Sequence, residues 1–235
     1  MNTKDFLLGM KIGFPVCLGY FSVSFGFGAM VISQGLTVLH SVLISATNLT
    51  SAGQFAGLTV IAAGGTLLET ILTQVVINSR YALMSLALGH KLGPTAGTGK
   101  RLIAAFFNTD ELFALAMAKG GTLSVSFFTG AGIIATIGWV SGTFLGAVAG
   151  SVLPPVLKIS LGVMLYGMFI AVVVPQARKE KTMLYCMLIA IFFSCLFTWV
   201  PLFKSISAGL AIVICTVAAA AICAIMFPVD EEVAQ

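Results

Sequence analysis

Residues 127–153, FFTGAGIIATIGWVSGTFLGAVAGSVL, decide the fold class of this chain. The run holds no charged residue and exceeds the roughly 20 residues that a helix needs to cross a hydrocarbon core about 30 Å thick. Where water does not reach the backbone, its N–H and C=O groups must be satisfied within the segment, so the run is helical. Gly138, Gly142, Gly146 and Gly150 recur every four residues along it. Glycines at that spacing line one helix face and let a neighbouring backbone approach closely, so the ladder reads as a packing surface. Gly9 with Gly13 and Gly53 with Gly57 repeat the pattern on a shorter scale.

The rest of the chain has the same character. Apolar residues make up 59% and charged residues 9% of the 235, with a mean hydropathy of +1.08, whereas a soluble domain carries about 25% charged residues. Hydrophobic elements fall at 12–34, 38–63, 66–90, 101–118, 127–153, 156–176, 182–201 and 206–227. The expected fold is all-α: a polytopic integral membrane protein in a lipid bilayer, a single transmembrane domain over 1–235 with about seven to eight helical elements, some broken or re-entrant.

Other classes are excluded by pattern. The net charge of +4 is spread over short loops without a basic stripe, so no nucleic acid is expected as a partner. Cys17, Cys186, Cys195, Cys215 and Cys223 lie singly in apolar runs with no CxxC pair, which makes them packing residues rather than metal ligands. No metal and no cofactor is expected. The stretch GPTAGTGKR (93–101) resembles a phosphate-binding loop, but its glycine spacing is one too long and Arg101 stands where a hydroxyl residue is required. Gly130, Gly132 and Ala135 match a dinucleotide fingerprint only in letters, since no strand precedes them. No HExxH or GxSxG signature suggests a hydrolase. The N-terminus leads into a long apolar run with no cleavage-site pattern, so no removable signal peptide is read.

Two short basic connectors, His90–Arg101 and Gln176–Lys181, both favour the cytoplasm. Three apolar elements separate them, so they cannot share a side if all three span. The weakest of the three is 101–118, with Asn108, Thr109, Asp110 and Glu111 at its middle, as expected of a broken or re-entrant segment. The second element carries a similar interruption at Thr47–Gln54, TNLTSAGQ. Two interrupted helices, one before and one after the element 66–90, point to a binding site near the bilayer midplane. With every element spanning, Lys and Arg balance across the membrane and leave orientation open.

Glu69, Arg80, Asp110 and Glu111 sit inside otherwise lipid-soluble stretches, where ionisable groups are costly unless paired or facing water. On a continuous 66–90 helix, Glu69 and Arg80 would share one face, about 16 Å apart. They could not pair there, and Asp110 and Glu111 become the nearest partners for Arg80. Either Arg80 pairs with one of these carboxylates to fix packing, or one carboxylate changes protonation during a transport cycle. Glu69 lies near an element end and has a further option of reaching the interface. Asn48, Ser51, Gly53 and Gln54, with Thr50, offer hydroxyls, amides and unwound backbone suited to a small zwitterion, or alternatively form a kink satisfied by its own hydroxyls. On such a helix Asn78 adds a polar group on the far side from Arg80.

The blocks FPVCLGYFSVSFGFG, SAGQFAG, INSRYALMSLALGHKL, NTDELFAL, GWVSGTFLGAVAGSVLP and LGVMLYGMFIAVVVP, in this order from about residue 6 to about residue 180, resemble the AzlC family, the large subunit of branched-chain amino acid exporters. That resemblance implies proton-driven export of leucine, isoleucine and valine across a bacterial plasma membrane, in company with a small membrane subunit of the AzlD type. Its blocks fall on Gln54, on Asn78 and Arg80, and on Asp110 and Glu111. Tyr81 stands where many members of the family carry histidine, so no proton relay is implied at that position.

The sequence reading is therefore a secondary transporter, not an enzyme. Asn48, Ser51, Gly53, Gln54, Asn78 and Arg80 are the expected substrate contacts, and Asp110, Glu111 and Glu69 the expected proton-coupling carboxylates. A chain of this length is small for a carrier, which fits a partner subunit or a homo-oligomer. The competing classes are a channel or pore, and a membrane scaffold subunit that does not transport.

Overall fold

A computed structural model of the chain describes residues 2–93, 96–150, 180–203 and 206–228, with 152, 154, 156, 170, 174, 177 and 178 as single positions. The described residues form α-helices and no strand: α1 (Thr3–Ser33), α2 (Val38–Thr47), α3 (Ala52–Ala62), α4 (Leu67–Asn78), α5 (Arg80–Leu92), α6 (Thr98–Phe106), α7 (Asp110–Ala118), α8 (Val125–Gly150), α9 (Lys181–Trp199) and α10 (Ala208–Met226). The sequence element 156–176 and the acidic tail 230–235 lie outside the described residues, single positions apart. Helices α1, α8, α9 and α10 are each long and apolar enough to cross a membrane, and α4 with α5 is apolar enough as a bent pair to form a broken span or a re-entrant loop. The chain divides into two compact units, Met1–Gln54 with Asn78–Leu165 and Phe55–Ile77 with Tyr166–Gln235.

In the first unit, α1 and α8 form the core. A Cβ added at Gly138, Gly142 or Gly146 would collide with main-chain atoms of Cys17, Phe21 and Phe25, and one at Gly150 would press on Ala29. The ladder therefore does what its spacing predicts: it removes the side-chain layer and brings two backbones together. Glycines of α1 answer in kind, Gly9 and Gly13 against Phe127 and Ala131, and Gly28 against Thr143. The paired positions rise together along both helices, so α1 and α8 run parallel. Helix α1 begins at Thr3 rather than at 12, because Asn2 caps it, accepting from the Lys4 N–H at 3.1 Å while its own N–H donates to Ser126 Oγ at 2.9 Å. Lys4, Asp5 and Lys11 are tolerated there since charges near a helix end reach the polar interface.

The interruptions expected around 47–54 and 108–111 are both present. Helices α2 and α3 are separated by Asn48–Ser51, with Ser51 in the left-handed region at φ 38°. Helices α6 and α7, nine residues each, are separated by Phe107–Thr109; each is about 14 Å long, half the hydrocarbon thickness. The Leu123 N–H donates to the Lys91 carbonyl at 2.8 Å, so the chain leaves and regains one level, and α6–α7 is a re-entrant hairpin. Arg101 fastens its entry: the guanidinium donates to the carbonyls of Ala96 (2.8 Å), Gly89 (3.1 Å) and Gly93 (2.8 Å).

The element 66–90 departs from expectation. It is two helices bent by 43° at Ser79, so Glu69 and Arg80 do not share one continuous face, and the inference of a common face is withdrawn. No proline or glycine marks the bend. Parallel α1 and α8, with Lys91 level with Leu123, put Asn2, Leu92 and Leu123 at one end of the first unit and Ser33 at the other. The end of the first unit at Asn2, Leu92 and Leu123 collects Lys4, Lys91, Lys100, Arg101 and Lys119, whereas 33–37 at the other end carries no charge.

In the second unit, Thr66 and Glu69 form a reciprocal cap at the start of α4: the Thr66 N–H donates to Glu69 Oε2 at 2.7 Å and the Glu69 N–H to Thr66 Oγ1 at 3.2 Å, satisfying donors that a helix start leaves free. Thr73 Oγ1 donates to the Gly209 carbonyl at 3.4 Å, where α10 passes close to Val60 and Thr73 for want of a side chain. Helices α9 and α10 pair, with the rings of Tyr185 and Phe227 stacked at 5.4 Å.

Candidate functional site

Most of the candidate side chains gather in the first unit, where helix breaks meet α1 and α8. Arg80 is the first residue of α5, just past the bend, and Asp110 is the first residue of α7, just past the re-entrant break. Their side chains form an ion pair, Nη1 to Oδ2 at 2.8 Å, and remain 42% and 35% exposed. The pair thus joins two breaks and stays accessible. A carboxylate suits the N-terminus of α7, where N–H groups are unpaired, while Arg80 at the start of α5 has the wrong sign for the dipole and is offset by Asp110. The guanidinium also lies 5.2 Å from the Tyr81 ring centroid, and its Nε is buried without a hydrogen-bond partner.

Glu111, one residue on, turns about 100° around α7 and faces α1. Its Oε2 lies 2.5 Å from the Tyr20 hydroxyl, which also lies 2.7 Å from Thr109 Oγ1. A phenol has one proton; against an ionised Glu111 it goes to the carboxylate, and Thr109 donates in turn to Tyr20. Tyr20 is buried, and its ring meets Trp139 of α8 edge to face at 5.3 Å between centroids. Trp139 is 1% exposed, and its Nε1 has no hydrogen-bond partner.

The first break reaches the same face of α8 one turn on. Ser45 Oγ and Thr143 Oγ1 are 2.8 Å apart, and Gln54 Nε2 donates to Ser45 at 3.2 Å. Thr143 follows Trp139 by four residues, about 6 Å along the axis. Gln54 is buried, and its Oε1 is left without a partner, a group that ordinarily finds water or a ligand. Asn48 turns inward on its own loop, accepting from the Thr50 N–H at 3.0 Å and the Thr50 hydroxyl at 2.7 Å. Gly53 is buried, Ser51 half-buried, and Asn78 closes α4 beside the bend.

The second break is linked to a cavity through Ser85. Asn108 Nδ2 donates to Ser85 Oγ at 3.1 Å, while Asn108 Oδ1 is buried and unpartnered. Ser85 lines a cavity of ≈ 210 Å³ between α5 and α6, walled by Leu88, Leu92, Leu102 and Ala105, and an adjoining one of ≈ 390 Å³ with His90 and Arg101. A larger cavity, ≈ 460 Å³, lies by Asn2, Lys100 and Thr129 and touches none of the candidate residues.

Of the residues expected from sequence, Arg80, Asp110 and Glu111 are brought together, and Gln54 joins them through α8. Glu69 lies in the second unit, engaged as a helix cap. Sequence reasoning passed over Tyr20, Ser45, Ser85 and Thr143. Tyr20 carried a usable signal, since a hydroxyl in the middle of an apolar helix must find a partner when buried.

Known proteins bear on this arrangement. The chain is 29% identical over 189 residues to the inner membrane protein YgaZ of Escherichia coli, covering 77% of each protein. It is 30% identical over 152 residues to an uncharacterized membrane protein of Archaeoglobus fulgidus, covering 65% of this chain and 66% of that one. An uncharacterized membrane protein of Helicobacter pylori is 25% identical over 154 residues, 63% of this chain and 67% of that one. No solved structure matches. The family described as AzlC protein matches residues 15–153, a stretch that holds Tyr20, both interrupted segments, the ion pair and the glycine ladder, and the chain is a membrane protein that belongs to the AzlC family.

Proposed function

We propose that this protein is a proton-driven exporter of branched-chain amino acids, working in a bacterial plasma membrane with a small AzlD-type membrane subunit. The observation that carries the reading is the convergence of helix breaks on α8: the Arg80–Asp110 pair joins the bend at Ser79 to the break at Phe107–Thr109, and Gln54 arrives from the other interrupted segment one turn away. Irregular backbone at bilayer depth is tolerated where it lines a cavity, and broken helices are how carriers present polar groups to a solute. An accessible cation–carboxylate pair offers each charge of a zwitterion a partner. The apolar cavity walled by Leu88, Leu92, Leu102 and Ala105 suits an aliphatic side chain.

Orientation follows from charge. The end that gathers Lys4, Lys91, Lys100, Arg101 and Lys119 is the cytoplasmic one by the positive-inside rule, and Gly93 and Arg101 at that end line the cavities beside Ser85. An exporter loads from that side.

The test is counterflow of labelled leucine in proteoliposomes, with and without the small subunit. Saturable counterflow, abolished by Arg80→Ala, is the expected result. Ion conductance that leucine does not saturate would move the protein to the channel class. Absence of flux, with an Arg80/Asp110 charge swap restoring assembly, would make it a scaffold.

A further inference from the structure

We propose that Glu111 is the carboxylate that takes up and releases the transported proton, and that Tyr20 transmits its state to the α1–α8 core. The inference rests on the proton-coupled reading above and divides a role that the two adjacent carboxylates otherwise share. Asp110 is held at 2.8 Å by Arg80. Protonating it would leave a guanidinium, already short of a partner at Nε, with no counter-charge. Glu111 answers instead to a neutral hydroxyl.

That hydroxyl works in either direction. With Glu111 ionised, Tyr20 donates to its Oε2 and Thr109 donates to Tyr20. With Glu111 protonated, the acid O–H donates to Tyr20, and Tyr20 donates to Thr109 Oγ1. Hydroxyls both give and accept hydrogen bonds, so the 2.5 Å and 2.7 Å contacts survive both states and only their polarity reverses. The proton comes from water and returns to it. Glu111 is exposed, while Tyr20 is 8% exposed and packed on Trp139. The group that exchanges lies open, and the group that senses it lies in the core.

The charged and titratable neighbours are few. Tyr20 faces Glu111 from α1, Arg80 and Tyr81 come from α5, and Asp110 precedes it on α7; α8 contains no titratable residue.

Trp139 makes the proposal testable without a substrate. The chain has two tryptophans, so a Trp199→Phe background leaves Trp139 as the only indole emitter. The full-length protein in lipid nanodiscs is titrated with pH while Trp139 emission and the infrared C=O stretch of protonated carboxylic acids are recorded. Expected is a joint transition in both signals that Glu111→Gln abolishes and Asp110→Asn retains. In Tyr20→Phe the infrared band should persist while the emission change is lost. If Asp110→Asn does not fold, an Arg80→Ala/Asp110→Ala variant, which removes both charges, takes its place. The proposal is overturned if the carboxylic band survives Glu111→Gln, if it disappears with Asp110 instead, or if Tyr20→Phe leaves the Trp139 response intact. Because no solute is added, a wild-type protein that titrates this way yet fails leucine counterflow would refute the transport reading and not the assignment of the proton.

Discussion

Replacing Gly146 by alanine should separate the two helices on which the site is built. The three atoms nearest an added methyl group are the carbonyl oxygen, carbonyl carbon and Cα of Phe25. All are main chain, so no rotamer change relieves the overlap and α1 must move away from α8. Overpacking of this kind costs about 1–3 kcal/mol, and a gap of about 0.5–1 Å also forfeits a quarter to a half of each neighbouring dispersion contact, here at Gly142 and Gly150. At roughly 1.4 kcal/mol per tenfold, the folded-to-unfolded ratio should fall about 5- to 150-fold. The control is Gly19→Ala, on α1 with nothing within 4 Å of the added atom; it should be neutral or gain up to about 1 kcal/mol from helix propensity. Reversible unfolding in mixed micelles, followed by circular dichroism, measures both. If Gly146→Ala unfolds no more readily than Gly19→Ala, the ladder is not a contact surface and the parallel α1–α8 packing is wrong.

Three further outcomes are expected. In a cysteine-free background, Lys4→Cys, Gly97→Cys and Gly120→Cys should all react with an impermeant maleimide from one side of the membrane and Gln34→Cys from the other; labelling of Gly120→Cys from the Gln34 side would remove the re-entrant hairpin. Arg101→Lys should weaken the hairpin's entry by about 1–3 kcal/mol, because an ammonium cannot reproduce three fork-directed bonds to carbonyls, and limited proteolysis at Lys91 and Lys100 should accelerate accordingly. A double-mutant cycle on Arg80→Ala and Asp110→Ala should give a stability coupling of only about 1 kcal/mol, since both side chains are partly exposed, whereas loss of leucine flux should be severe in each single variant.

What was legible in the sequence follows from chemistry that short windows contain. Uncharged runs announced helices in lipid, TNLTSAGQ and NTDE announced interruptions because consecutive polar groups cannot sit on a lipid-facing helix, and glycines every fourth residue announced a close neighbour. The ladder did not say which neighbour: that α1 answers it in parallel depends on how the intervening chain counts its crossings, which no local window holds. The bend at Ser79 was missed because the stretch from Leu67 to Leu92 lacks the proline or glycine that usually marks one, apart from Gly89 near its end. Asp110 and Glu111 looked interchangeable as letters. Only the pitch of α7 turns one towards Arg80 and the other towards Tyr20, and Tyr20 itself lies 91 residues away from Glu111 in the chain.

The glycine mesh between α1 and α8 sets what this molecule is free to do. Two helices whose main chains touch over several turns cannot slide or roll without lifting every rung at once, so they behave as a stator. On the proposed function, alternation of access within the first unit would fall to the short half-helices that hang on it. Their breaks carry the polar side chains, so under that proposal the moving parts and the parts that would recognise cargo are the same pieces of backbone.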